Sequence, residues 1–514
     1  MTGRWTGEPF VIGTREQFAR ARDFLRQTGY TEQDLSSSAG VSSIYELPGE
    51  DERKCLLDEN DPQALLVRLF LDGARFPWSA VRRTLGAEVE ALESLRLLQT
   101  SHVDPDACSA SVALYPNEGL YVASDKHHKI DDVAEGVPGD IVYSAMTRET
   151  HRFVELMPRV QCDSYLELCS GTGIAALIAA RTFAKQAWAV DITERSTRFA
   201  HFNAAFNEVE NCVVLEGDLY APVAGQTFDV ISAHPPYVPS FETEMVFRDG
   251  GEDGEQVTRR ILAGLADHLR PGGQFWADCM MTDRDGARLE DRIRSMLGPS
   301  EAEFDVVLGQ GGTLAPEEFF ARTLRTGTMH PEDFDRRRTI MEKLGVERFV
   351  TAMFMVQRRA TARPVFTRRR IVSTETSAAD FQWYLHWSTA TASPVSAEQF
   401  LNARPVAAPG VELRSRSIYR DGGWTTAETM LVTRRPFALE ATCPPWFATL
   451  LGWCDGQRTA REHLQRLREE GVIAEAGSES EFAFVIGRLA DGGFVELDFA
   501  PRDGSSSLSQ SLDG

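Results

Sequence analysis

Apolar residues recur at helical spacing through residues 14–100, where Ala64, Leu65, Leu66, Val67, Leu69 and Phe70 are followed by Val81, Leu85, Val89, Leu92 and Leu95. This predicts a small helical module. Between 108 and 125 the pattern turns strand-like, as SASVALYP, the turn NEG, then LYVASD. A hairpin after short helices predicts a winged-helix-like unit. From 139 to 360 short apolar runs alternate with longer helical ones. Strands are expected at SYLEL (164–168), AWAVD (187–191), CVVLEG (212–217), FDVISA (228–233), GGQFWADCM (272–280) and FVTAMFMVQ (349–357), with helices beginning near Ile174, Ser196, Gln256 and Ala287. Such alternation is the signature of an α/β fold, a Rossmann-like, doubly wound, mostly parallel sheet. The chain thus divides into an N-terminal module (1–138), the α/β domain (139–360), a linker (361–380) and a C-terminal module (381–500). The last of these reads as helix, turn, helix, helix and short strand from about residue 431, and the polar tail 501–514 is expected to be disordered.

A chain of 514 residues exceeds what one core organises, which agrees with several domains. A mean hydropathy of -0.27 implies a water-soluble surface. With no apolar run long enough to span a bilayer, and no basic-then-apolar leader at the amino terminus, a cytoplasmic protein is expected. None of the 8 cysteines forms a C-x-x-C pair, so neither a disulfide framework nor a zinc site is predicted. The adjacent His127 and His128 would point apart on a strand or helix, and no carboxylate spacing completes a metal site around them. A net charge of -22 argues against nucleic acid as a partner. Arg368, Arg369 and Arg370, which continue a stretch from Arg358 and Arg359, fit a solvated linker or strand edge better than an RNA contact.

The candidate chemistry begins at the end of the first strand of the α/β domain. Glu167, Leu168, Cys169, Ser170, Gly171, Thr172 and Gly173 lead from that strand into an apolar helix. The two glycines let backbone approach a ligand, beside a helix N-terminus with free amide donors. Asp191 ends the next strand, where a carboxylate can accept both ribose hydroxyls, and Asp218 follows the third, within reach of an adenine amino group. Three successive strand ends therefore converge on one nucleoside. A dinucleotide such as NAD is the rival ligand, since Gly171, Gly173 and Ala176 formally satisfy G-x-G-x-x-G/A.

The fourth strand runs into His234, Pro235, Pro236 and Tyr237. Two prolines hold the backbone extended, so that a preceding carbonyl and a following aromatic face are preset to receive a planar or cationic group. Together these residues resemble the class I S-adenosylmethionine-dependent methyltransferases. Glu167, Gly171 and Gly173 match the first motif of that family, with Cys169 at its first glycine, Asp191 the second motif, and Asp218 with Leu219 the third. His234-Pro235-Pro236-Tyr237 is similar to the N-P-P-Y motif of amino- and amide-nitrogen methyltransferases, including the glutamine methyltransferases of peptide release factors. The resemblance continues through Asp249-Gly250-Gly251-Glu252-Asp253-Gly254 and Arg270-Pro271-Gly272-Gly273. Upstream, Thr147-Arg148-Glu149-Thr150 stands at the family's polar turn near the cofactor, which implies a cofactor contact for Thr150. The match covers 139–280 well and 281–360 loosely.

The resemblance implies S-adenosylmethionine as cofactor and methyl transfer to nitrogen of a small molecule, amino acid or peptide, with His234, Pro235 and Tyr237 at the reacting centre. His234 stands where the family has asparagine. Imidazole offers one donor and one acceptor and can take up a proton near neutral pH, which suits an acceptor that must lose a proton, with His234 as positioning group or general base. Methylation of oxygen, of a protein or of RNA, and a nonenzymatic ligand sensor, are the alternatives. Residues 431–497, through LLGWCDGQRTAREHL and GRLADGGFVEL, resemble the PqqD-like winged-helix family, some members of which grip a peptide. A peptide partner or a homodimer is what these flanking modules would serve. Trp383, Tyr384 and Trp387 fit a packed interface.

Overall fold

In the computed structural model the described residues are 9–56, 58, 60–100, 106–126, 139–241, 245–325, 333–473 and 478–498. His127, His128 and the tail 501–514 lie outside them. The chain forms two compact units, residues 1–301 with 313–351, and residues 302–312 with 352–514. Among the described residues no helix is long and apolar enough to cross a membrane.

In the first unit five strands run parallel: Cys162–Leu168, Ala184–Asp191, Cys212–Glu216, Phe228–Ala233 and Leu269–Arg284. Side by side their order is third, second, first, fourth, fifth. Leu168 pairs with Val190 on one side and Ala233 on the other, and Asp191 with Glu216, so the carboxyl ends form one rim. The order reverses between the first and fourth strands, where an open α/β sheet leaves a crevice for a ligand. Each strand includes the segment expected for it, except that Gly217 falls just past the end of the third. The helix Ile174–Thr182 is buried from Ile174 to Ala180, so it must be apolar all round.

The helix Glu194–Phe206 joins this sheet to the N-terminal elements. Its Phe199, Phe202 and Phe206 share one core with Phe10, Phe18, Leu25, Leu66 and Phe70. The Phe10 and Phe202 rings lie 4.4 Å apart. Two amides on the same helix and its C-cap act as a surrogate strand. Asn203 accepts from Ala123 N at 2.8 Å, and Asn207 accepts from Tyr121 N at 2.8 Å while donating to Tyr121 O at 2.7 Å. The strand they grip, Leu120–Ser124, is the second half of the expected hairpin and pairs with Ala113–Asn117. Asn203 also donates to Thr172 O at 3.0 Å, so the same side chain braces the glycine turn.

In the second unit, Phe304–Leu314 pairs in parallel with Thr367–Ile371, from Val306 opposite Thr367 to Gln310 opposite Ile371. Residues 361–380, expected as a linker, therefore carry a strand. Its three arginines are accommodated because Arg370 pairs with Asp491 at 2.7 Å and Arg369 donates to Gln310 at 2.8 Å. Trp387 and Tyr384 are buried in the helix Ala378–Thr391, and Trp387 Nε1 donates to the same Asp491 at 3.1 Å. A long hairpin, Glu412–Arg420 with Gly423–Thr433, is extended by Leu439–Thr442. Three helices and the short strand Val495–Glu496 end the unit in the expected order, and Thr459 caps the helix Ala460–Glu469 in a capping box with Glu462.

Candidate active site

A cavity of about 580 Å³ opens at the carboxyl rim of the parallel sheet. Thr150, Glu167, Cys169, Gly171, Asp191, Asp218, Leu219, His234 and Tyr237 all line it. Gly173 and Pro235 are not among its walls. Gly173 caps the following helix at φ +77, where a Cβ would come within 3.1 Å of Ala200 Cβ. Pro235 sits behind Pro236, which does line the cavity.

The glycine turn is held by the acid at the end of the second strand. Asp191 accepts from Gly171 N at 2.8 Å and from Thr193 N at 3.1 Å, and burial pushes its carboxyl up. Gly171 has φ +51, and a Cβ there would meet no protein atom within 4 Å, leaving room beside Asp191. Cys169 takes the left-handed conformation at φ +55, the reason glycine suits this position. Glu167 is buried and accepts from Ala176 N at 2.7 Å; burial outweighs that bond and raises its carboxyl to about 8. Asp218 pairs with Arg260 at 2.7 Å, an anchor that sequence reading did not supply. Ser170 also lines the cavity, and its Oγ is buried with no partner among the described residues. This donor and acceptor set fits a nucleoside with a short charged tail.

The loop after the fourth strand is clamped by the glycine-rich segment. Val238 N donates to Arg248 O at 2.9 Å and Gly250 N returns to Val238 O at 2.8 Å. A Cβ on Gly250 would lie 2.8 Å from Pro236 O, and one on Gly254, at φ +75, would lie 2.4 Å from Tyr237 O. Only glycine permits that approach. Beyond it, the fully buried Glu255 accepts from Thr282 N at 2.9 Å and pairs with Arg284 and Arg292, which fixes the far end of the segment.

His234 stacks edge-on to Phe153 at 5.3 Å. Its Nδ1 is buried without a partner among the described residues. Burial, reinforced by Arg152, lowers its imidazolium to about 4, which favours the neutral ring near pH 7 over the proton uptake expected of a histidine. The Tyr237 phenol is pushed upward by burial and by Glu149. Beneath them Arg152 grips the fully buried Asp278 through two bonds of 2.7 and 2.9 Å. Burial raises the Asp278 carboxyl to about 6 against the pull of that guanidinium. Arg152, Asp278 and the stacked pair Tyr143 and Phe247 were not singled out from sequence, and Glu149 was named there only within the turn 147–150. A separation of 126 positions between the ion-pair partners gives no local pattern to read.

The reversed strand order, the glycine turn and the acids at the second and third strand ends all lie on one stretch of the chain. Residues 142–284 match the methyltransferase small domain. Among curated relatives, a release factor glutamine methyltransferase of Gloeobacter violaceus is 28% identical over 198 residues, 36% of this chain and 56% of its own. A ribosomal protein uL3 glutamine methyltransferase of Bradyrhizobium diazoefficiens is 36% identical over 124 residues, 22% of this chain and 39% of its own. The chain thus spans 39–56% of the length of these relatives. Among solved structures, a methyltransferase from Pyrococcus furiosus aligns over 45% of this chain and 93% of its own, at 19% identity and a TM-score of 0.28.

Proposed function

We propose that this chain is an S-adenosylmethionine-dependent N-methyltransferase acting on a nitrogen of a peptide or protein. The observation that carries the reading is a single cavity bounded by Asp191 and Asp218 at one end and by the His234–Tyr237 loop at the other. Asp191 would hold the ribose hydroxyls, and Asp218 with Leu219 the adenine edge. Thr150, Glu167, Cys169, Gly171 and Ser170 would border the amino-acid tail. When bound, the cofactor supplies a methyl group activated on a sulfonium. The protein's share is alignment, which can provide much of the acceleration of an in-line transfer. Pro235 and Pro236 fix the loop, the Tyr237 ring offers a flat face to the acceptor, and neutral His234 can take a hydrogen bond from an N–H. The names of the relatives, which give glutamine in a release factor and a ribosomal protein, support a polypeptide acceptor.

The test is transfer of radiolabelled methyl from S-adenosylmethionine into a cell extract by the wild-type chain and by Asp191→Ala, with calorimetric binding of S-adenosylhomocysteine alongside. Label in the protein or peptide fraction with wild type, and at least about tenfold weaker cofactor binding with the variant, is expected. Label confined to RNA, or binding untouched by the substitution, would overturn the reading.

A further inference from the structure

The acceptor end of the cavity carries both aromatic rings and a carboxylate. Tyr143 and Phe247 stack with centroids 4.9 Å apart and planes at 16°, and both line the cavity with Tyr237. Glu149, in the first turn of the helix Arg148–Glu155, lines the same space and is half-buried. The acids nearer the sheet are engaged: Asp191 by Gly171 and Thr193, Asp218 by Arg260. Glu149 makes no hydrogen bond or close ion pair among the described residues, and the cation its charge acts on, Arg152, is already gripped by Asp278. Among the described residues the basic side chains on the wall are Arg248 and Arg260, each already paired with an aspartate, and none is a lysine.

A half-buried carboxylate without a close ion pair favours a cation, and aromatic faces add to that preference. An anionic acceptor would meet Glu149 with no free positive charge to offset it. A neutral amide would leave the carboxylate partly desolvated and unanswered. We propose that the acceptor is an aliphatic amine, cationic in water, held between the Glu149 carboxylate and the rings of Tyr143, Phe247 and Tyr237; this rests on the methyltransferase reading above. Glu149 then takes one proton from the bound ammonium, which frees the nitrogen lone pair and leaves the total charge unchanged. The neutral ring of His234, which lines the cavity, receives a remaining N–H and orients that lone pair.

The experiment is isothermal titration of the full chain carrying S-adenosylhomocysteine with two probes of similar size, n-butylammonium and butyramide. Butylammonium is expected to bind at least about tenfold more tightly. Glu149→Gln should erase that preference, Glu149→Asp should retain part of it, and all three chains should bind S-adenosylhomocysteine alike. Equal or tighter binding of butyramide, no heat from butylammonium at tens of millimolar, or an undiminished preference in Glu149→Gln would overturn the proposal. So would a variant that loses the nucleoside instead, since Glu149 would then belong to the cofactor. Should wild type fail to bind S-adenosylhomocysteine, the methyltransferase reading falls, whereas the preference between the two probes, measured on the unliganded chain, still decides the amine site.

Discussion

Glu167 illustrates how one buried side chain carries a pH dependence for the whole site. Its carboxyl is raised from 4.5 to about 8 by burial, with only the backbone of the adjoining helix turn to offset the loss of water. Between those values the folded chain keeps a proton that the unfolded chain has released, so this residue makes stability fall as pH rises through the window. Glu167→Gln, whose amide oxygen can still accept from Ala176 N, should gain on wild type steadily between about pH 4.5 and about pH 8. Urea unfolding at a series of pH values measures this, and a difference independent of pH would contradict it. His234 works in the opposite sense. Its lowered value means that the folded chain refuses a proton which the unfolded chain accepts below about 6.5, so its contribution is lost as pH falls toward about 4.

Among the elements, the loop after the fourth strand and the glycine segment behind it form one device. Gly254→Ala would drive a Cβ into Tyr237 O from a left-handed backbone. It should destabilise the chain by about 1–3 kcal/mol and lower methyl transfer at least about tenfold. Binding of S-adenosylhomocysteine should stay within about twofold, because Asp191 and Asp218 lie on other strands. Transfer assays with calorimetry separate the effects, and a variant that transfers normally would show that Tyr237 tolerates displacement. The elements legible in sequence were those whose pattern follows from burial. Strands covered on both faces read as short apolar runs, and the acids at their ends stood out because nucleoside recognition needs that residue type at that place. Phe304–Leu314 was missed because its second half is GQGGTL, and Thr367–Ile371 because three arginines hide a five-residue strand. The hairpin from Glu412 to Thr433 is held across its strands by pairs such as Arg416 with Glu428, so it shows no apolar alternation to detect. Glu149 and Arg152 were written in plain view. Their roles depend on what lies opposite, which only the folded chain reveals.

At the scale of the molecule, the two units are not consecutive stretches of chain. Residues 302–312 belong with 352–514, while 313–351 return to the unit that carries the cavity. A chain ending at residue 360, where a sequence reading closes the catalytic domain, would keep Phe304–Leu314 and lose its partner Thr367–Ile371. The backbone groups of Val306–Gln310 would be left as an open edge. Such a truncation should form higher oligomers on size-exclusion chromatography and melt below the full chain. A monomer with an unchanged transition would show that the edge needs no cover.

The same interleaving sets a timetable for synthesis. The unit with the cavity lacks its last pieces until residue 351 has left the ribosome, and the strand begun at Phe304 waits for a partner made roughly 60 residues later. At about 5–20 residues per second that is roughly 3–12 seconds during which a nascent strand edge is available to any neighbour. A cell that starves or stalls during translation of this stretch would hold a half-made chain with an unpaired strand edge outward, so slow codons in the region after residue 304 would prolong that exposure.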